Sequence, residues 1–132
     1  MPSVYLSPSL QEYNPYIDGG NEEYYMNLIA DEMVPILTSS GIEVGRNSPE
    51  QTLSQAIAQS NAGNYNLHLA IHSNAAPPSN AGNVKGADIY YSAASSQGTR
   101  AATIFANNYK LIYPYPELVK TIPTTSLAEI VR

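Results

Sequence analysis

The stretch Leu67-His68-Leu69-Ala70-Ile71-His72-Ser73-Asn74 limits what this chain can fold into more than any other segment. A β-prone apolar run that stops abruptly at polar residues reads as a buried central strand over 67–71, one that hands His72 to a polar site at its end. Around it, short apolar runs alternate with stretches of helical periodicity. That alternation predicts a single α/β domain over residues 1–132, a mainly parallel twisted sheet with helices on both faces.

The other elements follow in order. Val4-Tyr5-Leu6 reads as a first strand, leading into a long loop, Ser7 to Gly20, rich in Pro, Asn, Gly and Tyr. Asn21 is placed to cap a helix whose first turn carries Glu22 and Glu23, where the helix dipole favours anions. Met26, Ile29, Ala30, Met33 and Leu37 recur at helical spacing as its inward face, Pro35 is expected to kink it and Gly41 to end it. Ile42-Glu43-Val44 reads as a short edge-like strand. Ser48-Pro49-Glu50 predicts a second helix, with Ser48 as cap, Leu53, Ala56, Ile57 and Ser60 inward, and Asn61-Ala62-Gly63 at its close. Beyond the central strand, Ala87 to Tyr91 forms another strand. A third helix is expected from about Gln97 to Tyr109, with Ala101, Ile104, Phe105 and Ile112 inward, and a last helical segment from Thr125.

Composition excludes several function classes. Hydrophobic residues at 43% support a real core, and a net charge of -5 with only 6 Lys and Arg argues against nucleic acid and anionic membrane surfaces. The absence of cysteine removes disulfides, thiolate metal sites and cysteine nucleophiles. No apolar run approaches the ~20 residues that cross a bilayer, so no membrane insertion is expected, and no basic-then-apolar leader is visible at the N-terminus.

In parallel sheets, ligands gather at the C-terminal ends of strands. There the loop after the first strand leads to Glu22, and the central strand ends at His72. A carboxylate and an imidazole at one edge suit Zn²⁺, which takes nitrogen and oxygen ligands. From the residues alone a structural, hydrogen-bonded His72 is the commoner outcome. Glu22 and Glu23 both serve as ligand candidates, since neighbours on a helix point about 100° apart and only one faces the site. His68 lies roughly 13 Å along the same strand face from His72, too far to share a metal, and is expected to be packed or hydrogen-bonded.

Read together, Val4-Tyr5-Leu6-Ser7-Pro8, the Glu22-Glu23 helix start with Met26-Asn27-Leu28-Ile29-Ala30, Gly41-Ile42-Glu43-Val44, Ser60-Asn61, Leu69-Ala70-Ile71-His72-Ser73-Asn74-Ala75 and Gly86 with Ile89-Tyr90-Tyr91 stand in a telling order. This pattern resembles the zinc-dependent N-acetylmuramoyl-L-alanine amidases, the catalytic domains of bacterial autolysins, spore-cortex enzymes and phage endolysins. The resemblance covers nearly the whole chain. It implies a peptidoglycan hydrolase that cuts the amide between N-acetylmuramic acid and the L-alanine of the stem peptide, acting in the bacterial cell wall or outside the cell. It implies Zn²⁺ as cofactor, with Glu22 and His72 as ligands, and peptidoglycan as partner; Asn74 is placed either to bind substrate or to fix the loop after His72.

Two positions depart from that pattern. Where the family has Gly-His-Gly after the first strand, this chain has Ser9-Leu10-Gln11, which leaves Gln11 or water for the missing imidazole. The family's general-base Glu lies on a last strand, and Ser126 to Arg132 resembles the helix before it, so the catalytic base is expected outside this sequence and the domain incomplete at its C-terminus. Glu129 reads as a solvated helix position. The alternative is an amidase-like domain, catalytically impaired, that binds cell-wall fragments or a partner. Tyr13, Tyr16, Tyr113 and Tyr115 are candidates for stacking on sugars, against the plainer reading of surface packing.

Overall fold

The computed structural model of the protein describes residues 1–11, 15–16, 19–73 and 85–131; Tyr13, Asn74 and Ala75 lie outside the described residues. The architecture is α/β with parallel strands, as the alternation of elements predicts, and the chain divides into two compact units, residues 1–81 and 82–132.

The first unit is built on β1 (Ser3–Pro8), which is paired on one side with β2 (Glu43–Arg46) and on the other with β3 (Leu67–Ile71), all parallel. The central, buried strand is therefore β1 and not Leu67–Ile71. Within this unit's sheet β3 stands at an edge, with Leu67 exposed and the rest half-buried. Alternation along β1 sorts its side chains onto two faces. Val4 and Leu6 join Ala30 of α1 (Glu22–Ser39) in the core, with Met33, Leu37, Val44 and Leu69 packed around them. Tyr5 points the other way, toward α2 (Leu53–Ala62). Its hydroxyl donates to Gln59 Oε1 at 2.7 Å, and its ring lies 5.3 Å from that of Tyr65 and is stacked on His68 at 5.4 Å. Gly45 and Gly63 leave the room that the Tyr65 ring fills. The helices thus cover opposite faces of this sheet, as right-handed crossovers require when β1→β2 and β2→β3 run in opposite directions.

Helix α1 begins where its cap predicts: Asn21 Oδ1 accepts the Tyr24 N–H at 2.8 Å. It runs through Pro35 to Ser39 and ends in a Schellman arrangement, in which Gly41 at φ 79° lets Ile42 N–H reach Leu37 O at 3.0 Å. Its buried stripe is narrower than expected. Met26 and Ala30 are buried, Met33 and Leu37 partly so, while Ile29 lies off the stripe and is exposed.

Helix α2 starts later than Ser48. Thr52 is its cap, and a reciprocal capping box joins Thr52 Oγ1 to Gln55 N–H at 3.2 Å and Gln55 Oε1 to Thr52 N–H at 2.9 Å. Two satisfied donors outcompete Ser48, whose carbonyl instead accepts Gln51 N–H in a turn at 3.0 Å. Ala56, Ile57 and Ser60 are inward as predicted, and Leu53 is exposed.

The second unit pairs β4 (Ala87–Ser92) in parallel with β5 (Val119–Thr124), joined through α3 (Ser96–Tyr109) and a 3-10 turn at Pro116–Leu118. Strand β5 is unpredicted. Its Pro123 disguises it, and a proline is tolerated there because β5 is an edge strand. Helix α3 buries Ala102 and Ala106, whereas the expected Ile104, Phe105 and the following Ile112 are exposed. The last helix, α4 (Ala128–Val131), begins three residues beyond Thr125, and Glu129 on it is half-buried, not solvated. No helix among the described residues is long and apolar enough to cross a membrane.

Candidate active site

Strands β1 and β3 run parallel in register, Pro8 opposite Ile71, so their C-terminal ends open at the same edge. The pairing continues one residue further, where Ser9 N–H donates to Ile71 O at 3.0 Å. This fixes the start of the Ser9-Leu10-Gln11 segment beside the residue that precedes His72. The helix after β1 starts at that edge as well, and it brings Glu22 back to the strand ends.

There Glu22 Oε2 stands 3.0 Å from His72 Nδ1, joining two residues 50 apart in sequence. The two side chains differ sharply in environment, with Glu22 only 2% exposed and His72 42% exposed. A carboxylate is costly to bury unless charge and hydrogen bonds compensate. Glu22 has both: it is the first residue of α1, where the backbone dipole is positive, and it faces an imidazole. Glu23, the other candidate from the helix start, is half-buried, and its carbonyl accepts the Asn27 side-chain amide at 2.8 Å. Of the two glutamates, Glu22 is the one against His72.

Nitrogen and carboxylate oxygen are donors that Zn²⁺ favours, and on a tetrahedral zinc two such atoms sit about 3.3 Å apart. The Glu22–His72 separation of 3.0 Å is close to one such edge. A catalytic zinc takes three protein ligands, and the pair offers two donor atoms. Among the described residues no group of three or more His, Cys, Asp or Glu side chains stands together. Gln11 is exposed, and its backbone N–H turns back to Ser9 Oγ at 3.0 Å, an arrangement that shapes the loop.

His68 belongs to a different place. Its Nδ1 is 2.8 Å from Ser60 Oγ, on the α2 side of the sheet, and its ring is stacked on Tyr5, in keeping with a structural role. Asn61, on α2, contributes its carbonyl to Asn64 N–H at 3.4 Å. Tyr16, one of the tyrosines singled out in the sequence, has its hydroxyl hydrogen-bonded to Ser73 Oγ, directly after His72, a contact the sequence does not signal. Hydroxyl contacts across 57 residues leave no periodic trace.

No family model matches the chain, and no curated protein matches it. Among solved structures it is similar to the N-acetylmuramoyl-L-alanine amidase AmiC2 of Nostoc punctiforme, with a TM-score of 0.73 and 17% identity over 98% of this chain and 73% of that one. At that identity the likeness establishes a shared fold.

Proposed function

We propose that this chain is a peptidoglycan hydrolase of the bacterial cell wall or its exterior. It cleaves the amide between N-acetylmuramic acid and L-alanine, with Zn²⁺ held by Glu22 and His72. The observation that carries this reading is the Glu22–His72 pair, assembled across 50 residues at the strand ends of a fold shared with a muramoyl-alanine amidase.

Glu22 and His72 would hold the Zn²⁺, which when bound would supply a Lewis acid that polarises the scissile carbonyl and acidifies water. The chain's own residues hold and orient the site. Glu22, buried at the helix start, presents its carboxyl group to His72. Without metal, its 3.0 Å contact with Nδ1 sets the orientation of the imidazole, which is 42% exposed. Ser9, itself buried and tied to Ile71, holds the Ser9–Gln11 turn at the same strand ends. Gln11 is the residue of that turn with an oxygen to offer as a further, weaker donor, and Asn74, two residues after His72, is proposed to contact substrate.

The test is release of L-alanine amino termini from purified peptidoglycan by zinc-supplemented protein, with Glu22→Gln as control. Release that depends on Glu22 supports the reading; release equal in both proteins refutes it. The Ser9-Leu10-Gln11 segment, which lacks an imidazole, favours a second reading, a domain that binds wall fragments without cutting them. Under that reading the protein sediments with peptidoglycan and frees no amino termini.

A further inference from the structure

Beside the pair, the first unit presents an aromatic cluster that neither zinc nor fold requires. Tyr16 and Tyr25 are stacked, ring centroids 5.1 Å apart and 18° between planes, and Tyr24 meets Tyr25 edge-on at 5.1 Å and 83°. Large aromatic side chains are normally well covered, yet Tyr24 is 57% and Tyr25 39% exposed. Tyr16 and Tyr25 are held in place all the same. The Tyr16 N–H donates to Gly20 O at 3.0 Å, Gly19 N–H returns to Tyr16 O at 3.2 Å, and Pro15 pairs with Asn21 as an antiparallel bridge. Gly20, at φ 76°, lies against the Tyr25 ring so closely that a Cβ there would stand 2.5 Å from Tyr25 Cε2.

The cluster is continuous with the candidate site at two points. Tyr16 is hydrogen-bonded to Ser73, next to His72. Tyr25 follows Glu22 by three residues on α1, a spacing that sets Cβ atoms about 5–6 Å apart on one helix face. We propose that Tyr16, Tyr24 and Tyr25 form a platform on which an N-acetylated pyranose of the glycan lies beside the Glu22–His72 pair. The inference rests on the peptidoglycan reading and assigns one side of that site to the sugar.

Chemistry favours the sugar over the stem peptide. A pyranose presents C–H faces that pack on aromatic rings, whereas stem-peptide carboxylates call for cations. Arg46 is the one Lys or Arg between residues 1 and 81, and it is already engaged with Asp31 at 2.7 Å and with Asn27. Rings whose rotamers are fixed before binding lose little entropy when a sugar lands on them.

The two cleavage products probe the platform without being cut. N-acetylglucosaminyl-N-acetylmuramic acid and the peptide L-alanyl-D-isoglutamine are each titrated into wild type, Tyr24→Ala, Tyr25→Leu and Tyr25→Phe, followed by chemical-shift changes. Tyr24→Ala removes an exposed ring, and Tyr25→Phe keeps the stack while removing a hydroxyl, so the fold is retained in both. The disaccharide is expected to bind wild type and Tyr25→Phe alike and to weaken about three- to tenfold in Tyr24→Ala and Tyr25→Leu, with peptide affinity unchanged within about twofold. Equal disaccharide affinity in all four proteins overturns the platform, as does weakening confined to the peptide. A wild type that binds neither product also overturns it. If that wild type still releases L-alanine termini from peptidoglycan, the hydrolase reading stands and only the platform fails; if it releases none, both fail.

Discussion

His72 Nδ1 and Glu22 Oε2 meet at 3.0 Å, one from the end of β3 and the other from the first turn of the helix after β1. Because the carboxylate is buried and the imidazole half-exposed, the carboxylate is the fixed partner and the imidazole the one that faces solvent. Glu22→Gln keeps the shape but gives up the charge that a cation needs. Changing a group that merely supports a ligand costs roughly 10–100-fold in metal affinity, and loss of a ligand is expected to cost at least as much. Zinc affinity by competition with a chromophoric chelator is the measurement. Affinity unchanged by Glu22→Gln removes Glu22 from the metal site.

His68 provides the contrast, since it is the chain's other histidine and sits on the same strand. Its partners are Ser60, which is buried, and the ring of Tyr5. His68→Ala strands the Ser60 hydroxyl and uncovers part of Tyr5, which costs about 1–3 kcal/mol. Zinc affinity should stay at the wild-type value while the denaturant midpoint falls. A variant of wild-type stability with weakened zinc binding reverses the roles assigned to the two histidines.

The second helix is capped by Thr52 and not by the expected Ser48. Thr52→Ala breaks a reciprocal capping box and should destabilise the protein by about 1 kcal/mol. Ser48→Ala removes a hydroxyl bonded only locally, to Glu50, on an exposed turn, and is expected to shift stability by less than about 0.5 kcal/mol. Urea unfolding of both variants decides the matter, and a larger loss for Ser48→Ala contradicts the observed cap.

What was legible in the sequence is what local chemistry dictates. Asn21 with Glu22 and Glu23 announced the start of α1, and the polar stop after Ile71 located His72 at a strand end. Pair formation between Glu22 and His72 was legible as a shared sheet edge, because parallel strands align their C-terminal ends. Which strand is central was not, since Val4-Tyr5-Leu6 and Leu67–Ile71 are equally apolar and only pairing distinguishes them. The inward face of α3 was misread for a related reason. Small alanines at 102 and 106 pack closely where Ile104 and Phe105, larger and more hydrophobic, point away. Strand β5 was hidden by Pro123, which a sheet interior forbids and an edge accepts.

The Ser9-Leu10-Gln11 turn offers the sharpest test of whether the pair is two-thirds of a zinc centre. Ser9 N–H is bonded to Ile71 O, so residue 10 follows directly from a point fixed beside the strand that delivers His72. Position 10 holds a half-buried leucine where the amidase pattern has its first histidine. An imidazole there would replace an apolar side chain that cannot coordinate, and a third protein ligand is what distinguishes catalytic zinc sites from two-donor ones. Leu10→His is therefore expected to raise zinc affinity at least tenfold and to increase the rate at which amino termini are freed from peptidoglycan. The increase should vanish when Glu22→Gln is added, because all three side chains would then no longer act on one ion. Affinity unchanged by Leu10→His means that this turn points away from Glu22 and His72, and that any third ligand comes from elsewhere.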